Sequence, residues 1–148
     1  MEEHFEEFAA LISGIHWNIK KLKAAYTEEL GLKEVHIFWL YLLKTHPEGM
    51  TASEIAEASR QSRSLVSREI QWLLEKEILH TEDNTGKRRY GWKLYLSPKG
   101  EELAARISQV AAGVQSEVSR EIDEKELEIF YKTLRTLSDN FDKLICEK

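Results

Sequence analysis

The sequence predicts a mainly α-helical protein with one small β-hairpin, and three observations support this class. Only nine of its 148 residues are glycine or proline, whereas these two residues contribute about 12% of an average chain. Long stretches near both ends repeat apolar residues with helical spacing. Two short alternating stretches flank the turn-forming sequence DNTGKRRYG, which is typical of a hairpin. A length near 150 residues fits one domain, 1–148.

The terminal stretches predict long helices with apolar seams. In the first thirty residues the seam advances in steps of three and four, through Phe5, Phe8, Ile12, Ile15, Ile19, Leu22 and Tyr26. The stretch 127–144 repeats this spacing, and 103–118 predicts another amphipathic helix. Asp123 and Glu126 predict a capping box at the start of the last helix. Each seam by itself is consistent with ordinary core packing. A monomer would leave much of this apolar surface exposed to water, so we expect the segments 1–32 and 98–148 to mediate a homodimer.

The middle segment, 33–97, predicts a different arrangement. The sequence EVHIFWLYLL at 34–43 favours a helix buried on all sides. Thr51 and Glu54 predict a capping box and a short helix to about Ser59, followed after a turn by a helix over SRSLVSREIQWLLEKE. Strand-like stretches at 78–82 and 92–96 follow, and Ser97 with Pro98 predicts the start of the next helix. This order is that of a winged helix-turn-helix.

The second helix of this motif has the composition of a DNA-reading helix. Val66, Ile70 and Leu73 share one face, which we expect to point into the core. The other face carries the residue types that contact bases and phosphates, namely Arg63, Ser64, Ser67, Arg68 and Gln71. They lie in the first turns, which such helices present to the major groove. The alternative is an ordinary solvated face.

The predicted hairpin carries three adjacent cations, Lys87, Arg88 and Arg89. Adjacent like charges repel one another, and a loop tolerates them most readily where it meets an anion. A narrow minor groove attracts inserted arginine, so a wing of this kind is suited to contact DNA. A solubilising loop is the alternative.

The distribution of charge supports this interpretation, although the net charge of -5 does not. Residues 1–43 carry a net charge of -3, residues 44–100 carry +2, and residues 101–148 carry -4. Phosphate binding depends on local potential, so an acidic total does not exclude DNA as a partner. The acidity belongs to the helical ends.

Several other classes of protein find little support. No apolar run approaches the ~18 residues of a membrane span, and the acidic N-terminus lacks the features of a signal peptide. The single cysteine, Cys146, fits a reducing compartment and lacks a thiolate-stabilising neighbourhood. The five histidines show no metal-ligand spacing, and no catalytic constellation is present. We therefore expect a cytoplasmic protein without enzymatic activity, metal or cofactor.

Taken together, the chain resembles the MarR family of transcriptional regulators. The resemblance lies in TASEIAEASRQSRSLVSREIQWLLEKEIL, which matches the helix-turn-helix, and in LYLSPKG, which closes the wing. It implies an obligate homodimer on palindromic operator DNA, most often a repressor, with ligand-responsive release in many members. Two positions depart from the family pattern. Glu77 replaces a glycine expected in a left-handed turn, and Lys87 replaces an acid that usually orients a wing arginine.

The resemblance also implies a ligand pocket between the dimer helices and the winged region. Aromatic walls with a few polar groups suit a small aromatic or amphipathic effector. The candidate residues here are His16, Trp17, Lys20, His36, Trp39 and Trp72. Core packing is the alternative for each tryptophan. Two other functions stay open, namely a winged-helix module that binds an acidic protein partner and a structural dimer without an effector.

Overall fold

The computed structural model describes residues 2–82 and 91–147. The described part contains six helices and three short strands, in the order α1 (Glu2–Leu30), α2 (Glu34–Thr45), β1 (Met50–Thr51), α3 (Ala52–Ser59), α4 (Arg63–Glu75), β2 (Leu79–Thr81), β3 (Lys93–Leu96), α5 (Pro98–Val118) and α6 (Glu124–Cys146). The predicted class is confirmed, with a helix-turn-helix at α3–α4 followed by antiparallel strands.

The core lies in the middle of the chain, around α2, α3 and α4. Its most deeply buried side chains include Trp39, Leu40, Ile55 and Leu73, each 1% exposed or less. The expectation that α2 is buried on all sides was wrong. Phe38 and Tyr41 are 37% and 55% exposed, because positions three apart share one side of a helix and this side faces away from the core.

The sheet has the strand order β1-β3-β2, with both pairings antiparallel. Leu79 pairs with Leu96, which confirms the two predicted strands. The strand β1 was not predicted. It spans two residues, and Met50 pairs with Leu94, so its sequence is too short to show the alternation by which strands are recognised.

Of the two predicted capping boxes, the one at the start of α3 forms. At α3 the Thr51 hydroxyl accepts a bond from the Glu54 N–H at 3.2 Å, and the Glu54 carboxylate accepts one from the Thr51 N–H at 3.3 Å. Asp123 occupies the corresponding position before α6, but its side chain makes no capping hydrogen bond. The predicted box is therefore absent there, although Asp123 is the N-cap residue of α6 as the sequence predicted.

A serine joins the start of α5 to the start of the wing. The Ser97 hydroxyl shares its proton between the carbonyl oxygens of Glu77 at 2.6 Å and Ile78 at 2.9 Å. The same oxygen accepts a bond from the Gly100 N–H at 3.0 Å, so it caps α5 as predicted. Lys99 donates from its ammonium group to the carbonyl oxygen of Lys76 at 3.0 Å. We call this arrangement the Ser97 junction.

The chain leaves α4 through a left-handed residue, at the position where the sequence departs from the family pattern. Glu77 has φ of +59°, a region where Cβ crowds the backbone of every residue except glycine. Its N–H still donates to the carbonyl oxygen of Leu74 at 3.0 Å, which closes the turn.

Replacing this residue should therefore stabilise the protein. We expect Glu77→Gly to raise the free energy of unfolding by about 0.5–1 kcal/mol, because glycine adopts positive φ without steric cost. Urea denaturation followed by circular dichroism measures the change. Glu75→Gly is the matched control, since Glu75 ends α4 in helical geometry and should lose stability instead. A loss of stability in both variants would contradict the strain assigned to Glu77.

The described part of the chain forms two compact units, one ending at Gln109 and the other beginning at Val110. In the first unit α1 exposes much of its predicted seam, including Phe5, Ile12, Ile15, Ile19 and Leu22. In the second unit α6 has no buried residue, and its exposed apolar side chains include Phe130, Leu137, Phe141 and Leu144. Among the described helices, none has the length and apolar character required to cross a membrane.

Candidate nucleic-acid interface

The helix α4, which we call the reading helix, is fixed by its cap and by its apolar face. The Ser62 hydroxyl accepts a bond from the Leu65 N–H at 3.2 Å, which begins the helix where the sequence predicted. Val66, Ile70 and Leu73 are 1%, 6% and 0% exposed, so this face lies in the core as expected. The opposite face is thereby turned outward.

Four of the five predicted DNA-contacting residues on this helix are exposed, namely Arg63, Ser64, Ser67 and Arg68. The fifth, Gln71, is half-buried, and its amide nitrogen donates to the carboxylate of Glu75 at 3.1 Å. The structure thus brings these five residues to one side of a short, anchored helix. The exposed arginine and serine side chains in the first two turns therefore offer hydrogen-bond donors to a partner outside the protein.

A groove of about 290 Å³ runs beside the reading helix. Arg63, Ser67 and Gln71 line one wall, and the other walls come from the start of α3 and from β2 and β3. The Gln71 carbonyl oxygen is buried there and has no hydrogen-bond partner among the described residues. Since an unpaired buried acceptor is costly, this amide is available for a donor that enters the groove.

The wing cations can be placed only by sequence. Lys87, Arg88 and Arg89 lie outside the described residues, within the gap between Glu82 and Gly91. The described strands β2 and β3 border that gap and pair with each other, as a hairpin requires.

Sequence reasoning missed a buried acid on the inner side of the reading helix. Glu69 is 4% exposed, and each of its carboxylate oxygens accepts one hydrogen bond from the start of α2. The Lys33 ammonium donates to Oε1 at 2.7 Å, and the His36 ring nitrogen Nε2 donates to Oε2 at 2.9 Å. The only signal in the sequence was that Glu69 is the one acid among the first twelve residues of this helix. We call these three residues the α2–α4 network.

The tautomer of His36 follows from its second bond. The backbone N–H of Lys33 donates to Nδ1 at 3.0 Å, so Nδ1 carries a lone pair and the neutral ring holds its proton on Nε2. His36 is 0% exposed, and its ring stacks on Trp72 with centroids 5.0 Å apart. Both ring nitrogens are therefore satisfied, Nδ1 as an acceptor and Nε2 as a donor.

The electrostatics of the network favour a neutral histidine beside an ionised glutamate. Burial lowers the pKa of His36, and the hydrogen bond and charge of Glu69 oppose that effect. The hydrogen bond from Lys33 lowers the pKa of Glu69 against the effect of burial, with a further contribution from His36. Near neutral pH the network thus contains Lys33 and Glu69 as ions and His36 as a neutral donor.

The predicted ligand-binding residues do not form one described cluster. His36 and Trp39 are 0% and 1% exposed, and the half-buried Trp72 packs on His36, so these three belong to the core beside the reading helix. His16, Trp17 and Lys20 are exposed on α1, where Trp17 is 60% exposed and lies under the ammonium of Lys21. Ligand binding by the core residues would require that core to open, and the site stays a prediction.

Comparison with solved structures identifies the fold. The chain matches Staphylococcus aureus MarR in complex with salicylate and kanamycin with a TM-score of 0.83 at 18% identity, covering 93% of this chain and 92% of that one. A MarR family protein from Bacillus stearothermophilus matches with a TM-score of 0.79 at 15% identity, covering 96% and 98%. The S. aureus MepR–DNA complex matches with a TM-score of 0.75 at 18% identity, covering 88% and 94%. No protein-family model and no curated protein matches the sequence. The chain therefore has the winged-helix fold of MarR-family structures.

Proposed function

We propose that this protein is a DNA-binding transcriptional regulator that inserts the reading helix into the major groove of operator DNA. The observation that carries the proposal is the outward face of α4, where two arginines and two serines are exposed while the inward face is buried. Arginine recognises guanine through two bonds, and serine contacts either phosphate or base. A protein with the same fold, the S. aureus MepR, has been solved in complex with DNA.

The wing supplies the second DNA-binding element in this proposal. Lys87, Arg88 and Arg89 would lie in the flanking minor groove, where negative potential is greatest when the groove is narrow. The local net charge of +2 over 44–100 supports phosphate binding by this segment, whereas the flanking segments are acidic. Any affinity for non-specific DNA should be modest.

A homodimer is the assembly that the exposed seams favour. Large apolar side chains are exposed along α1 and, separately, along α6, and extended exposed apolar surface is typical of protein–protein interfaces. A twofold dimer would present two reading helices about 34–36 Å apart, so the operator should be palindromic with half-sites one helical turn apart. The proposal includes repression, a cytoplasmic location and release by a small molecule. For release, support comes from the salicylate complex of S. aureus MarR, which has the same fold.

Selection of bound fragments from random duplex DNA tests the function directly. We expect a palindromic sequence, and we expect Arg68→Ala to weaken binding to it by about 1–3 kcal/mol, because one base-reading side chain is removed. Fluorescence anisotropy with the selected duplex measures the affinity. Replacing Lys87, Arg88 and Arg89 by alanine should weaken all duplexes more uniformly and flatten the salt dependence by about one unit of slope for each phosphate that is no longer neutralised.

Arg135→Ala is the matched control, since Arg135 is an exposed arginine on α6 and should leave affinity unchanged. Unchanged affinity in the Arg68 and wing variants as well would refute the assignment of the interface. Failure to select any duplex, together with the absence of salt-dependent binding to duplex DNA, would instead favour a module that binds an acidic protein through its wing.

A further inference from the structure

We propose that the α2–α4 network positions the reading helix and makes duplex binding weaken on acidification, through loss of the hydrogen bond between the Lys33 N–H and the His36 ring. This inference rests on the proposed DNA-binding function. It assigns Lys33, His36 and Glu69 as positioning residues, since the described hydrogen bonds place all three behind the exposed face of α4 and not on it.

The network joins two elements that are distant in sequence. Glu69 lies between the exposed Arg68 and the buried Ile70 in the reading helix. Its two partners are the residue that precedes α2 and the third residue of α2, at 2.7 Å and 2.9 Å. Because each carboxylate oxygen has its own partner, the bonds fix both the distance and the rotation of α4 relative to the start of α2.

Protonation of His36 is incompatible with this geometry. A proton on Nδ1 would point at the Lys33 N–H, which lies 3.0 Å away and is itself a donor. The bond that caps the start of α2 would break, and two donors would face each other. The ring is fully buried, so it cannot reach water without displacing the helices around it.

Within the described part of the chain, the charged groups that act on the ring are Lys33 and Glu69, from the same two elements. Lys33 lies at the start of α2 and disfavours a second positive charge, whereas Glu69 on α4 favours it. The faces of the ring meet aromatic side chains, with Trp72 stacked at 5.0 Å and Trp39 tilted at 6.1 Å. Lys76 lies 5.7 Å from the Trp72 ring and adds a further positive charge nearby. Burial lowers the pKa of His36, so the network changes only under acidic conditions.

The expected loss of DNA affinity on acidification is opposite to the general electrostatic trend. Acidification makes an acidic protein less negative, which by itself strengthens binding to phosphates. Weaker binding at low pH therefore requires a specific structural change. The loss of the cap at the start of α2 provides it, because both partners of Glu69 lie in that cap and shift when it rearranges.

His36→Gln isolates the titration from the hydrogen bonds. A glutamine at this third helical position can accept the Lys33 N–H with its side-chain carbonyl oxygen, as in a capping box. Its amide nitrogen can donate to Glu69, and the amide does not titrate. We would measure anisotropy between about pH 7.5 and about pH 5.5, using the duplex selected by the wild-type protein at neutral pH. Wild-type affinity should fall by about tenfold, and that of His36→Gln by less than about threefold. His4→Gln makes the same change at an exposed histidine of α1 and should follow the wild type.

Equal pH profiles for the wild type and His36→Gln would overturn the proposal. A second measurement on the wild-type protein keeps it testable if that variant does not fold. Long-range ¹H–¹⁵N spectra of the imidazoles should show His36 protonated on Nε2 alone near neutral pH, and its titration should shift the backbone amides of α4. Amides of α4 that do not respond would also overturn it. Absence of any duplex binding would refute the proposed function, whereas these spectra would still decide the positioning role.

Discussion

Gly100→Ala is expected to lower the free energy of unfolding by about 2–3 kcal/mol. A Cβ at Gly100 would collide with the backbone carbonyl oxygen of Ile78 and would lie 3.2 Å from a methyl carbon of Leu96. The carbonyl oxygen cannot move aside alone, because it also accepts bonds from the Ser97 N–H at 3.0 Å and from the Ser97 hydroxyl at 2.9 Å. Added volume would therefore separate the start of α5 from the start of the wing.

Gly113→Ala provides a matched comparison within the same helix. Nothing lies within 4 Å of a Cβ built at Gly113, so alanine should stabilise α5 by about 0.5–1 kcal/mol through its higher helix propensity. Chemical denaturation of both variants measures the contrast. A Gly100→Ala protein as stable as Gly113→Ala would show that the close approach at the Ser97 junction is not a constraint on folding.

Glu69→Ala should be comparably destabilising, by about 2–3 kcal/mol near neutral pH. The substitution removes two hydrogen bonds to one buried carboxylate and leaves the Nε2–H of His36 buried without its acceptor. Glu75→Ala on the same helix is the control. Glu75 is exposed, and its carboxylate accepts a bond from the amide of Gln71 on the same helix, so its replacement should cost less than about 0.5 kcal/mol.

The pH dependence of that penalty gives an independent check. The folded protein lowers the pKa of Glu69 from its usual value of 4.5, so the carboxylate contributes stability above that value and loses it as pH falls through the folded pKa. The difference in unfolding free energy between the wild type and Glu69→Ala should thus shrink under acid. A penalty that is constant with pH would show that packing, and not ionisation, is what Glu69 contributes.

Titration of His36 should also lower the stability of the folded protein as pH falls. Its folded pKa is lowered below 6.5, so the unfolded chain binds more protons than the folded chain once pH falls through 6.5. Stability of the wild type should then decline with falling pH, because protons favour the state that binds more of them. Denaturation at several pH values would measure this decline alongside the DNA-binding profile.

The sequence predicted much of the interface because periodicity and capping are local properties. The spacing of Val66, Ile70 and Leu73 determines which side of α4 is buried, and this leaves Arg63 and Arg68 outside whatever the neighbours are. Thr51 caps α3 as expected, and α4 begins next to Ser62 where the sequence predicted its start, since a helix start needs only residues within one turn. The exposed side of α2 was missed, because an apolar run gives no indication of which side meets solvent.

What the sequence determined by itself is therefore the class of fold, the order of its helices and of the two hairpin strands, and the outward face of the reading helix. Tertiary structure alone decided the pairing of β1 with β3, the close approach of Gly100 to Ile78 and the partners of Glu69. Each of these joins residues far apart in the chain, and Glu69 meets His36 across 33 positions. No local pattern encodes such an interaction, because whether a buried acid is acceptable depends on which donors the fold brings to it.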